Sequence, residues 1–190
     1  ATIYTGSSEF ICLRNGLHGR TKLTMSMTGI GMWRTDPNPV GGISFAPNPY
    51  CYRCPLGKTY PECDLASANA VEDIIKTNTS GKVAAFFAEP IQGNAGIITP
   101  PPGYFQRLKE ILDKYNILLV VDEVQTGFGR TGKMFAIENF NIVPDIMTVA
   151  KALGNGTPIS AFIATAQIAD SYVKPGASTL GGNPVSSTAA

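Results

Sequence analysis

Two ionisable residues of this chain stand at the ends of apolar runs. Ile117-Leu118-Leu119-Val120-Val121 leads into Asp122-Glu123-Val124-Gln125, and Ile146-Met147-Thr148-Val149-Ala150 leads into Lys151. Each run is short, apolar and partly β-branched, the pattern of a buried strand in a parallel sheet. Ligands of such sheets gather outside the carboxyl ends of the strands. A carboxylate and an amine delivered there are costly to bury unless something pairs with them. Pyridoxal phosphate answers both, because it needs a lysine for its aldehyde and an acid for its pyridinium nitrogen.

The elements that must carry these residues follow from periodicity. Residues 9–13 predict a strand ending at the turn Arg14-Asn15-Gly16, and residues 21–28 a short helix. The stretch 37–61, rich in proline, glycine and tyrosine, has no periodicity and reads as a long irregular loop. Loops of that length are commonly functional or interface-forming. Leu65, Ala68, Val71, Ile74 and Ile75 share one face of a helix stopped near Ser80-Gly81. Residues 83–88 form a buried strand whose end delivers Glu89. Tyr104, Phe105, Leu108, Ile111, Leu112 and Tyr115 recur at the three-four spacing of a further helix. Strands at 117–121, 146–150 and 159–164 and a short helix near 167–172 complete the series. The alternation argues an α/β fold whose sheet is covered on both faces.

The flanks of the two ionisable residues carry a resemblance. Asp122-Glu123-Val124-Gln125-Thr126-Gly127-Phe128-Gly129-Arg130-Thr131-Gly132, then Pro144-Asp145, then Ala150-Lys151-Ala152-Leu153-Gly154-Asn155-Gly156-Thr157-Pro158 closely resembles the signature of class III aminotransferases. Three segments agree in order and spacing: His18-Gly19-Arg20-Thr21, Ala88-Glu89-Pro90-Ile91-Gln92-Gly93, and Ser178-Thr179-Leu180-Gly181-Gly182-Asn183-Pro184. The resemblance covers nearly all of the chain and loosens between about residues 32 and 69.

It implies that residues 1–190 are part of the large domain of a fold-type-I pyridoxal phosphate enzyme, a mostly parallel sheet sandwiched by helices. The glycine-serine loop that anchors the cofactor phosphate is then expected before Ala1, and the small C-terminal domain after Ala190. The implied activity is ping-pong amino transfer from an amino donor to a keto acid, of the alanine–glyoxylate or ω-amino-acid type. The alternatives are an aminomutase of the same fold, or a silent fragment acting as a scaffold. A chain of only these 190 residues is expected to be inactive.

By the same resemblance, Lys151 forms the Schiff base and, once freed, moves the substrate Cα proton. Desolvation or nearby positive charge lowers a lysine pKa in a way that suits this work. Asp122 pairs with the pyridinium nitrogen, Gln125 donates to the phenolic oxygen, and Val124 packs on a ring face. His18 and Gly19 lie close to the ring, and Glu89 lines the site. Thr179 reaches the phosphate of the neighbouring subunit, which implies a homodimer or a dimer of dimers. Each residue also has a plainer reading: Asp122 as a turn cap, Lys151 as a side chain reaching solvent along its stem, Thr179 as a turn residue. Leu17 departs from the family, which usually has Tyr or Phe there; leucine covers a ring face but cannot stack as an aromatic.

Composition narrows the rest. The 190 residues are 44% hydrophobic and 15% charged with a net charge of +1, which gives no electrostatic footprint for nucleic acid or membrane partners. No apolar run approaches the ~20 residues a membrane helix needs. The opening Ala-Thr-Ile-Tyr-Thr-Gly reads as neither signal nor transit peptide, so the chain is expected to be a piece of something longer. A cytoplasmic location is expected, or the mitochondrial matrix if a transit peptide precedes it. Cys51, Cys54 and Cys63 form C-x2-C-x8-C, a spacing compatible with zinc or an iron–sulfur cluster. With His18 claimed by the resemblance, a fourth ligand is missing, and reduced thiols in a surface loop, with no metal, are the favoured reading. Gly127 to Lys133 fits the spacing of a nucleotide phosphate loop, but Met134 stands where magnesium needs Ser or Thr.

Overall fold

Asp122 and Lys151 are carried by neighbouring strands of a single six-stranded sheet in the computed structural model, which describes residues 1–190. In chain order the elements are α1 (Thr2–Thr5), β1 (Glu9–Leu13), α2 (Lys22–Met27), β2 (Ile43–Ala46), α3 (Ala66–Thr77) and β3 (Val83–Ala88). They continue with α4 (Tyr104–Lys114), β4 (Leu118–Asp122), β5 (Ile146–Val149), β6 (Ala161–Ala164), α5 (Ala166–Asp170) and α6 (Pro184–Ala189). The sheet order is β2-β1-β3-β4-β5-β6. Every pairing is parallel except that of β5 with β6. The fold is α/β, as the alternation predicts, with the mostly parallel sheet that the resemblance implies.

Period-two alternation divides β4 between two cores. Leu119 and Val121 join Ile11, Leu13 and Phe86 against Val71 and Ile75 of α3 and Leu108 and Leu112 of α4. Leu118 and Val120 join Phe10, Cys12 and Ala85 on the opposite face, covered by Met27 and Ile168. Covering both faces makes the run 117–121 continuously apolar. Truncating the fully buried Leu119 to Ala is expected to cost about 2–5 kcal/mol. Helix α4 starts after Gly103 in the left-handed region (φ 83°) and stops before Asn116 (φ 55°), a residue type that tolerates that conformation.

The stretch 37–61 differs from expectation. Within it, Ile43–Ala46 forms β2, the sheet's edge, in register with β1 from Phe10 against Ile43 to Leu13 against Ala46. A four-residue, half-buried strand is too short to display alternation. It becomes a strand because β1 offers an unpaired edge, a tertiary cause that periodicity does not register. Beyond β2 the stretch is irregular, with a single 3-10 turn at Cys51–Arg53, and Cys51, Cys54 and Cys63 are free thiols. No helix is long and apolar enough to cross a membrane.

Candidate active site

Four adjacent parallel strands end on the same side of the sheet, and each end delivers part of one cleft. After β1 the chain turns at Asn15 (φ 63°) and presents Leu17 to Arg20. Strand β3 ends before Glu89, β4 ends on Asp122, and Lys151 follows β5 by two residues. The resulting cleft of about 310 Å³ is lined by His18, Gly19, Glu89, Asp122, Val124, Gln125 and Lys151. Those are all the site residues predicted from sequence except Thr179.

Asp122 is buried and uses both oxygens. Oδ1 accepts the Val124 amide at 3.1 Å, so the turn-cap role is real. Oδ2 lies 2.9 Å from His18 Nδ1, and the His18 side chain is only 2% exposed. Cap and pairing coexist because a carboxylate has about four lone-pair sites and these contacts occupy two. The His18 ring meets Phe87 edge to face at 5.9 Å. Its Nε2 is buried without a protein partner.

Glu89 is also buried, with Oε1 accepting the Leu17 amide at 3.0 Å and Oε2 the Gly93 amide at 2.9 Å. Burial pushes its carboxyl above the ordinary range, and the two amides only partly offset that. This side chain ties the turn after β1 to the turn after β3. Glu123 performs a similar task deeper down. Fully buried, it accepts from the Thr126 hydroxyl, from the Ala136 amide at 3.1 Å and from the Ile137 amide at 2.8 Å. It therefore pins both ends of the glycine-rich loop that follows Gln125.

Lys151 opens a 3-10 turn with φ 48°. A non-glycine residue in this region is costly, about 1–2 kcal/mol, and such strain persists where surroundings enforce it, often at functional sites. Its side chain lines both the cleft and an adjoining cavity of about 540 Å³. Thr179, by contrast, is exposed and lines neither space.

Three further residues of the wall, Arg20, Trp33 and Asn94, have no role predicted from the sequence. The Arg20 guanidinium lies 5.5 Å from the Trp33 ring centroid and donates to the Trp33 carbonyl at 3.4 Å. No carboxylate pairs with it. Arg20 stands in the segment His18-Gly19-Arg20-Thr21 and is legible there; Trp33 lies where the resemblance loosens and carries no signal. The donor set fits pyridoxal phosphate: a braced carboxylate for a ring N–H, an amide for a phenolic oxygen, an amine for an aldehyde, and Val124 as aliphatic cover.

Comparison with known proteins agrees with this chemistry. Residues 2–190 match the family described as Aminotransferase class-III. A leucine/methionine racemase of Thermococcus litoralis is 46% identical, spanning 100% of this chain and 44% of the relative. The mitochondrial alanine–glyoxylate aminotransferase 2 homolog 2 of Arabidopsis thaliana is 38% identical, spanning 100% of this chain and 39% of its own length. An amine transaminase from an uncultivated Pseudomonas species, solved in its PLP-bound form, superposes with a TM-score of 0.92 at 32% identity. That match covers 99% of this chain and 46% of the transaminase. The chain thus spans less than half the length of these relatives.

Proposed function

The chain belongs to the aminotransferase class-III family, and on that premise we propose that it serves a pyridoxal-phosphate-dependent aminotransferase. The reaction passes an amino group from an amino donor to a keto acid in two half-reactions at one site. The observation that carries this reading is the meeting, in one cleft, of Lys151, Gln125 and an Asp122 carboxylate braced by His18.

When bound, the cofactor supplies an electron sink for the charge left as a substrate Cα–H bond breaks. The chain's own residues do the rest. Asp122 would accept from the ring nitrogen and keep a proton there, because His18 and the Val124 amide hold the Asp122 carboxylate in one orientation. Gln125 would donate to the ring's phenolic oxygen. Val124 would cover one ring face, with His18 and Gly19 in the same wall of the cleft. Lys151 would hold the aldehyde, and its amine, once freed, would be the base that carries the proton from the substrate Cα. Arg20, without a carboxylate of its own, suits the carboxylate that amino and keto acids share. Glu89 lines the site and fixes the turns that carry Leu17 and Gly93. Thr179, exposed and away from its own cleft, is assigned to the phosphate of a second subunit's site, which makes the active species at least a dimer.

The alanine–glyoxylate type is the preferred substrate class, supported by the Arabidopsis relative at 38% identity. A second reading has one observation behind it, the 46% identity to a protein named a leucine/methionine racemase. Racemisation and intramolecular amino shifts need no keto acceptor, whereas amino transfer does. The test is incubation of the full-length protein with L-alanine, with and without glyoxylate, and with L-leucine alone. Glycine formation that requires glyoxylate supports transfer. Loss of leucine's optical purity without any acceptor, and no glycine, overturns it in favour of racemisation.

A further inference from the structure

Gly93 lies in the turn between Gln92 and Ile98, whose backbones bond to each other reciprocally at 3.0 Å. Two of its features point at the cleft. Its N–H donates to Glu89 Oε2 at 2.9 Å. A Cβ on Gly93 would stand 1.7 Å from Gln125 Oε1 and 2.5 Å from Gln125 Cδ. The φ of Gly93 is not in the left-handed region, so this glycine is required for space rather than for backbone freedom.

Gln125 has no other restraint at its tip. Its amide makes no hydrogen bond within the chain, and the residue is exposed. It lines both the cleft and the adjoining cavity, as Val124 and Lys151 do. Lodged over the bare Cα of Gly93, the amide forms part of the wall between these two spaces.

We propose that Gly93 is a positioning residue: its missing Cβ sets where the Gln125 amide stands beside Lys151, while its N–H holds Glu89. The inference rests on the role assigned to Gln125 above. The three atoms nearest an alanine Cβ at this position all belong to the far end of the flexible Gln125 side chain, so the fold tolerates it and the amide swings away. The loss is functional and acts through Gln125.

The test uses the full-length apoenzyme and three variants, Gly93→Ala, Gln125→Ala and the double substitution. Pyridoxal phosphate affinity is read by absorbance titration, and melting temperature is read without cofactor. Gln125→Ala is expected to weaken binding by about threefold to tenfold, the range for one hydrogen bond. Gly93→Ala should match that loss, and the double variant should lose no more than Gln125→Ala alone. The apoenzyme melting temperature of Gly93→Ala should equal or slightly exceed that of the wild type. Wild-type affinity in Gly93→Ala, multiplied losses in the double variant, or a melting temperature lower by several degrees would each overturn the role of Gly93 alone. Undiminished binding by Gln125→Ala would overturn the role of Gln125, and that of Gly93 with it.

Discussion

His18 Nδ1 lies 2.9 Å from Asp122 Oδ2, joining residues 104 apart in sequence. The pair links the turn after β1 to the last residue of β4 across the intervening β3. With the Val124 amide on Oδ1, the carboxylate has a partner on each oxygen and its plane is fixed. Lone pairs left over are directed by the fold rather than by the ligand, which is how a site is made ready before anything binds.

Removing the imidazole should therefore hurt twice. His18→Ala leaves Asp122 Oδ2 buried without its partner, at a cost of about 1–3 kcal/mol, and frees the carboxylate to rotate. Calorimetry of the full-length protein should show a lower melting temperature, and pyridoxal phosphate should bind more weakly. A variant equal to wild type in both would mean the pairing is incidental.

The separate members of this site are legible in the sequence, but their pairings are not. Asp122 and Lys151 can be found because each ends a buried run, and burial on both faces leaves an uninterrupted apolar signature. The His18–Asp122 contact depends on the order of three parallel strands, which no local pattern encodes. Glu123 looks like any acidic residue beside a glycine-rich loop. Its burial comes from donors at Thr126, Ala136 and Ile137, the last of them fourteen positions away. Strand β2 leaves no local pattern in the sequence, because an edge strand with three half-buried residues is defined by its neighbour. The helices α3 and α4, whose apolar faces repeat over about three turns, were readable to within a residue or two of their ends.

Lys151 offers the most direct chemical check. Borohydride reduction of the cofactor-loaded full-length enzyme should leave a pyridoxyl mass on the peptide containing Lys151. Lys151 is the one lysine that lines the cleft with Asp122 and Gln125. Label on Lys133 or Lys174 would contradict the assignment.

Acid should weaken the contact between α3 and α4. Lys114, then Tyr115 and Lys76, hold the Glu72 carboxyl down from 4.5 to about 2. A carboxyl depressed in the folded state contributes stability above its unfolded value of 4.5 and loses it as pH falls towards about 2. Unfolding midpoints at low ionic strength should thus fall more steeply across that window in the wild type than in Glu72→Gln. The carboxylate is only half-buried and its lysine partners are exposed, so added salt should narrow the difference. Parallel pH profiles for the two proteins would show that the cluster contributes nothing.

Thr179 sets the last prediction, because it is exposed and lines neither space beside Lys151. If it completes the phosphate site of a second subunit, Lys151→Ala and Thr179→Ala damage different halves of a shared site. Each variant homodimer then has two defective sites. A mixed dimer has one site with both defects and one with Lys151 and Thr179 intact. Subunit exchange between the two inactive full-length proteins should restore up to about half the activity of a wild-type dimer per hybrid, as two-fold symmetry requires. If Thr179 serves only its own chain, every site in the hybrid keeps one defect and no activity returns. Exchange is verified by native mass spectrometry, and Thr179→Ala must first be clearly impaired on its own. Its loss of affinity for pyridoxal phosphate supplies that control without recourse to turnover.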